Sequence, residues 1–580
     1  MLNLNDYVFS KAGSYLSVDR VNEKLLITSA YGGKYYPLYA IDVEKNAEIQ
    51  FEPWELTVKS GGEYKICLFG KNGLSIKGKG KPLTIEYCEA KSEYNVNFVR
   101  ETKNGIAVGD TLNNGVAYLT ALKGKFSYCA PMNTGEESRK YLAKRKEIRV
   151  TFGEGAEEFT AAIEQFFGCC DFSACWDLDY DEIVCAVREE YEKFEKPFFV
   201  KNETQACAVY VLWSNALPKD GYFTRTPICA SRAGMTRLWS WDNVFNAIAL
   251  APYHPQLAFD QMMIPYDLIA ADGRIPDAIG ATAMEWTNVK PPVQGWAYQI
   301  LQKKNRYFSK RSVLKEIYFP MKRNTDWWLN RGKTPSYYHG NDSGADNSTC
   351  FDYSDCIETP ELLALLSVQC EFLSETAEKL GLHSDVKTYK TISDDLLKSV
   401  SEDYFDGKLF VKNGDTGEKY YVDSLLPYRV LILGEKLPEN MQKYIVERIK
   451  NDFLGEYGLA SEALTSEKYE KDAYWRGSLW TPDQYMIAYG LNEVGESELA
   501  QEILKRYNAA ILKNGFYENY DVHTGEKERC KNFSWPVCCY LGEDINVRKK
   551  FCMGRRRCGV SNGRRDCRRR QNGIRMGYVL

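Results

Sequence analysis

Two carboxylates in loops crowded with polar and aromatic residues are the first candidates for chemistry: Asp346 in YYHGNDSGADNSTCF and Glu518 in GFYENYDVHTGE. A loop so dense in Asp, Asn, Ser and Gly also builds stacked Asx-turns, and that is the expectation for Asp342. Calcium fits the loop poorly. An EF-hand counted from Asp342 puts Asn347 where glycine belongs and Tyr353 where the bidentate glutamate belongs. Asp346 is left as a candidate proton donor. A lone surface glutamate is ordinarily only solvated, but Glu518 lies between Tyr517 and Tyr520, ahead of a turn at Gly525, which suits a cleft.

Three further loops supply candidate contacts. RLWSWDNVFNAIAL sets Trp239, Trp241 and Asp242 at the head of a helix, where Asp242 reads equally as an N-cap and as a ligand contact. Two indoles beside it make a wall on which the apolar face of a sugar ring can lie. In DGRIPDAIGATAMEWTNVKPPVQGWAYQIL, Pro292 fits a first helical turn. Glu285, Trp286, Gln294 and Trp296 offer a polar and aromatic lining there, with Trp296 also reading as core. In AYWRGSLWTPDQYMIAYGL, Arg476 between Trp475 and Trp480 either holds a hydroxyl or carboxylate or makes a structural ion pair.

Composition removes other chemistries. The four histidines, His254, His339, His383 and His523, are scattered, which argues against a histidine cluster or a His-rich metal site. The 18 cysteines include no CxxC pair and read as reduced thiols packed as small hydrophobes. No metal or organic cofactor is expected. The apolar runs fall short of a membrane span and the N-terminus lacks an apolar signal region, so a cytoplasmic protein with no membrane partner is expected.

The elements that must hold these loops change character along the chain. Residues 1–155 read as a β-sandwich, with strands in KLLITSAY, EYKICLFG, PLTIEYCEA and KEIRVTF, and with KNGLSIKGKGKPL as a hairpin loop. Residues 156–200 read as a helical linker, because AAIEQFFGCCDFSA and DEIVCAVREEYEKFEK carry apolar residues at helical spacing. From 201 to 545 about twelve helices follow, joined alternately by short turns and by long loops. Helices paired around a ring would put all the long loops on one face. Residues 546–580 form a basic tail, with twelve Lys and Arg from position 548 onward against one acid, Asp566. Its arginine clusters lack an apolar period, and it reads as a disordered or frame-shifted segment rather than a nucleic-acid patch.

Taken as an ordered set, WSWDNVFNAIAL, KPPVQGWA, SGADNS, YWRGSLWTP and FYENYD…TGE…FSW resemble glycoside hydrolase family 63, with a more distant likeness to the trehalases of family 37. The likeness covers roughly residues 200–545. It implies a mainly α fold, an (α/α)6 toroid preceded by a β-sandwich, and inverting, exo-acting hydrolysis of α-glycosidic bonds. By motif, Asp346 matches the general acid and Glu518 the general base, with Trp239, Trp241, Asp242, Gln294, Trp296, Trp475, Arg476, Trp480 and Tyr517 as substrate contacts. The implied partner is a short oligosaccharide or small α-glycoside of α-glucosidase type, and no nucleic acid. Asn341-Asp342-Ser343 departs from relatives that often carry Trp or Glu before the SG. The rivals are a lyase or epimerase on the same toroid and a non-catalytic carbohydrate-binding protein.

Overall fold

The computed structural model describes residues 2–32, 36–88, 96–111, 115–133, 144–167 and 177–542. The expectations for the basic tail and for Cys169 and Cys170 lie outside these residues.

Two antiparallel sheets build the N-terminal β-sandwich. The first runs Phe9–Ser10, Leu16–Val21, Lys24–Ser29, Tyr36–Ile41, Leu83–Tyr87, Arg149–Phe152 and Phe126–Cys129 in spatial order. The second runs Asn97–Thr102, Gly105–Asp110, Gly115–Lys123, Glu158–Phe167, Gly73–Lys79, Glu63–Phe69, Glu55–Lys59 and Glu48–Glu52. Their inward residues, among them Leu25, Ile27, Ile66, Leu74, Ile76, Ile85 and Ile163, are buried.

Two expectations fail here. The stretch read as a hairpin loop contains a regular interior strand, Gly73–Lys79, paired on both edges. Its glycines mark close packing rather than a turn: a Cβ on Gly78 would come within 2.2 Å of the Phe159 ring. The AAIEQFF run is not helical but belongs to the strand Glu158–Phe167. That strand lies in the middle of its sheet and is buried on both faces. Alternation is erased when both faces are covered, and the apolar run then mimics a helix.

After the helix Tyr180–Glu195 the chain becomes a double ring. Asp242–Leu250, Gln294–Lys304, Pro360–Leu380, the 3₁₀ segment Leu426–Lys436, Thr481–Glu493 and Pro536–Leu541 each pack against the next, and the last packs against the first. Outside them lie Pro255–Asp267, Arg311–Leu329, His383–Asp403, Glu439–Arg448, Ser497–Asn514 and Glu203–Ser214. This is an (α/α)6 toroid. Outer helices are amphipathic: Arg311–Leu329 buries Val313, Leu314, Ile317, Tyr318 and Met321, at helical spacing. Asp242–Leu250, in the inner ring, is buried on every side.

Short turns carry the chain from each of the first five inner elements to its outer partner, and long loops lead into the next inner element; Glu203–Ser214, the outer partner of the last, comes first in the chain. The long loops therefore collect at the N-terminal ends of the inner ring. They pair two by two into three small antiparallel sheets, one of which joins Leu479–Trp480, Tyr517–Tyr520 and Lys527–Lys531. Among the described residues no helix is long and apolar enough to cross a membrane.

Candidate active site

Three tryptophans stand where inner elements begin. Trp241, Trp480 and Trp535 immediately precede Asp242–Leu250, Thr481–Glu493 and Pro536–Leu541, and none caps its helix through a side-chain hydrogen bond. Asp242 is thus the first helical residue rather than the cap, which leaves its carboxyl facing the ring's interior charges. Trp475 stacks on Trp480 with centroids 4.0 Å apart and planes 9° apart. Trp241 lies 6.1 Å from both Trp475 and Trp535, which closes an indole floor. The Arg429 guanidinium lies 5.5 Å and 5.4 Å from the Trp241 and Trp475 ring centroids. It donates to Asp483 at 2.6 Å and to the Ser343 carbonyl at 3.2 Å.

The loop bearing Asp346 runs against this floor. A 3₁₀ turn, Gly340–Ser343, ends at Gly344 in the left-handed region with φ of +73°. A Cβ on Gly344 would come 2.5 Å from the Trp241 indole, so both backbone shape and contact require glycine. Asp342 anchors the turn from below. Its carboxylate accepts from the Val289 and Tyr338 N–H groups, each at 3.0 Å, and from Arg331 at 2.6 Å. The part is structural, but these contacts come from other segments and from four residues upstream, and they are not the Asx-turn expected of it.

Asp346 is 37% exposed and faces Lys290, whose Nζ lies 3.7 Å away. Lys290 itself is 4% exposed and donates to the Asn341 carbonyl at 3.0 Å and to Asn341 Oδ1 at 2.6 Å. Asp277 stands 3.6 Å from the same ammonium and accepts from Asn341 Nδ2 at 3.0 Å. Burial pushes the Asp277 carboxyl above the usual range, and Lys290 opposes it. Asp242, fully buried, is pushed up to about 7 by burial, with Lys290 drawing it down and the Glu518 charge raising it.

Glu518 is 4% exposed, on the strand Tyr517–Tyr520. Its carboxylate accepts from the Tyr474 hydroxyl at 3.3 Å and from the Cys530 N–H at 3.4 Å, while its own carbonyl accepts from Trp535 Nε1 at 2.9 Å. Burial raises its pKa, and these donors and Arg529 oppose the rise. Tyr474 feels the charges of Glu518, Asp346 and Asp242 together, and its φ of +65° is a backbone form uncommon outside glycine. Asn347 ties the two loops: its Oδ1 accepts from the Trp475 N–H at 2.8 Å, and its Nδ2 donates to the Ala473 carbonyl at 3.0 Å.

The expected contacts separate into groups. Trp241, Asp242, Trp475 and Trp480 gather with the carboxylates, although Trp475 and Trp480 spend a face on each other. Trp239 is half-buried on a short strand beside Ala278, with more open surface than the floor indoles. Gln294 is buried and donates to the Ser240 carbonyl at 2.7 Å, holding the Trp241 loop. Trp296 packs among Phe245, Tyr485 and Tyr489 in the core of the ring. Arg476 makes the ion-pair alternative, to Asp352, and donates to the Asn347 carbonyl at 2.9 Å. Tyr517 points away from Glu518, towards Asp6 at 3.2 Å and under Lys527.

Sequence reasoning missed Lys290, Asp277, Asn341, Tyr474 and Arg429. Lys290 and Tyr474 stood inside the quoted KPPVQGWA and AYWRGSLWTP, and a lysine ahead of a double proline was the available signal. Arg429 lies in a plain apolar segment that offers none. Among the described residues no group of three or more His, Cys, Asp or Glu is placed to hold a metal ion.

A family described as the mannosylglycerate hydrolase MGH1-like glycoside hydrolase domain matches residues 235–536. Glucosylglycerate hydrolase from Mycolicibacterium hassiacum is 24% identical over 448 residues, covering 60% of this chain and 98% of that protein. Mannosylglycerate hydrolase from Thermus thermophilus is 35% identical over 85 residues, 15% of this chain and only 20% of that protein. In structure, a GH63 mannosylglycerate hydrolase from Thermus thermophilus matches with a TM-score of 0.52 at 18% identity, over 60% of this chain and 100% of its own. A bacterial glucoamylase complexed with acarbose matches 94% of each chain, with a TM-score of 0.61 at 12% identity. These structural matches extend to the fold.

Proposed function

The chain belongs to the mannosylglycerate hydrolase MGH1-like glycoside hydrolase family, and on that premise we propose that it hydrolyses a single α-linked sugar from a small glycoside with inversion. Asp346 is the general acid and Glu518 the general base. The substrates that suit the named relatives are glucosylglycerate and mannosylglycerate, and a short α-glucoside is the alternative from the same class. A cytosolic setting belongs to the same proposal.

The observation that carries this reading is Tyr474, which donates to Glu518 while feeling the charges of Asp346 and Asp242. Asn347, next to Asp346, bonds the main chain on both sides of Tyr474, which supports a joint role for two carboxylates 172 positions apart in sequence. In the proposed reaction Asp346 gives its proton to the glycosidic oxygen as the bond to the anomeric carbon breaks. Glu518 takes a proton from the water that attacks the opposite face, and an inverting pair leaves room for that water with a separation of about 6.5–9.5 Å. Ionised Glu518 is held in place by the Tyr474 hydroxyl and the Cys530 N–H. Because burial raises its pKa, the acid limb of the pH profile should lie above that of an ordinary glutamate.

Asp346→Asn and Glu518→Gln should each lower kcat on glucosylglycerate or mannosylglycerate by about 10²–10⁴-fold with folding intact. Proton NMR of the first-formed sugar should show the β-anomer. An α-anomer formed first, or full turnover in either variant, overturns the assignment. The non-catalytic rival predicts sugar binding with no hydrolysis by the unaltered chain.

A further inference from the structure

Glu518 faces an irregular ladder. Tyr517 pairs with Lys531 and Asn519 with Glu528, so Glu518 alone stands opposite two residues, Arg529 and Cys530. This is a β-bulge, and a bulge leaves its extra residue out of the main-chain pairing. A regular antiparallel ladder spends its N–H groups on main-chain carbonyls. Here the N–H of Cys530 donates instead to Glu518 Oε2 at 3.4 Å, which brings the Cys530 side chain under the influence of the Glu518 charge.

The distortion is held at a cost. Arg529 has φ of +59°, in the left-handed region that a long side chain seldom adopts. Its guanidinium is fixed by Asp472, to whose carbonyl it donates at 2.9 Å, and lies 5.7 Å from the Tyr474 ring centroid. The bulge is thereby locked to the residue that supplies Glu518 with its other donor.

We infer that the bulge at Arg529–Cys530 positions Glu518, with Cys530 presenting both its N–H and its S–H to the carboxylate; this rests on reading Glu518 as the base. The thiol is suited to a purely donating part. Burial, reinforced by the Glu518 charge, pushes it up to about 12, so it keeps its proton at any working pH. The other groups acting on Glu518 are Tyr474 from the preceding loop, Arg529 from the same strand as Cys530, and Asp242 from the neighbouring inner helix. Of these only Asp242 adds negative charge directly, and it is common to every variant below.

Cys530→Ala removes the thiol donor and keeps the backbone, whereas Cys530→Ser keeps a hydroxyl donor in its place. The titration of Glu518, read in the full chain by infrared difference against Glu518→Gln, should move up by about half a pH unit in Cys530→Ala. In Cys530→Ser it should stay or move down. The acid limb of kcat/KM on glucosylglycerate should follow the same order. An unmoved titration in Cys530→Ala overturns the inference, as does an equal upward shift in both variants, which would mark a packing effect. The infrared measurement needs no turnover. If Glu518→Gln still hydrolyses substrate, it is the base assignment that falls, and the titration decides the positioning separately.

Discussion

At the scale of single residues, the site concentrates groups whose solvation is incomplete. Asp242 is the clearest case, an acid raised to about 7 chiefly by burial. An unfolded aspartate ionises near pH 3.9. Between these values the folded protein holds a proton that the unfolded chain has lost, so stability from this group is fully present below about pH 4 and is lost as pH rises to about 7. Asp242→Asn removes the titration. Its melting temperature relative to the unaltered protein should therefore rise between pH 4 and pH 8. Scanning calorimetry at the two values checks this, and a constant difference would refute the placement of Asp242. The sequence brought Asp242 into view beside two tryptophans, Glu518 between tyrosines and Asp346 in a loop crowded with polar residues. It could not bring in Lys290, whose meaning lies in a long-range meeting with Asp277, Asn341 and Asp346.

At the scale of elements, two loops must stay in register for the carboxylates to share a centre. Asn347 does this with one side chain, bonding the main chain at both Ala473 and Trp475. Asn347→Ala should cost only about 1–2 kcal/mol in urea denaturation. It should nevertheless lower kcat at least tenfold, because small misplacements of reacting groups are expensive. Loss of stability without loss of kcat would sink this account. The inner and outer helices were legible because apolar periodicity is strong over ten or more residues. The small sheets in the loops were not, since strands of two to five residues such as Leu479–Trp480 carry no period. Glu158–Phe167 failed for the opposite reason, being apolar on both faces of its sheet.

At the scale of the whole molecule, the sandwich is built into the site's support. Lys531 closes the strand paired with Tyr517–Tyr520, and its ammonium lies 2.7 Å from Asp19, which is 1% exposed, in a strand of the sandwich. The same ammonium donates to the Leu4 carbonyl at 2.6 Å. Tyr210, on an outer helix, donates to the Val8 carbonyl at 2.8 Å and accepts from the Ser10 N–H at 3.0 Å. Asp19→Ala leaves the half-buried Lys531 ammonium stranded without its carboxylate, on main-chain carbonyls alone, and should cost about 1.5–3 kcal/mol. Because the stranded charge lies on the bulged strand beside Glu518, turnover should fall with it. Equilibrium unfolding together with kinetics on glucosylglycerate reads both effects, and unchanged values would show that the two halves are energetically independent.

The ring is closed by its two most distant helices, Glu203–Ser214 packing on Pro536–Leu541. On a ribosome, the early helix can dock on the sandwich through Tyr210, but it must wait for its ring partner until more than three hundred further residues have been synthesised. Glu518 itself is made only after every helix from Asp242 to Asn514, so a chain interrupted before it carries an unfinished torus without the glutamate proposed as its base.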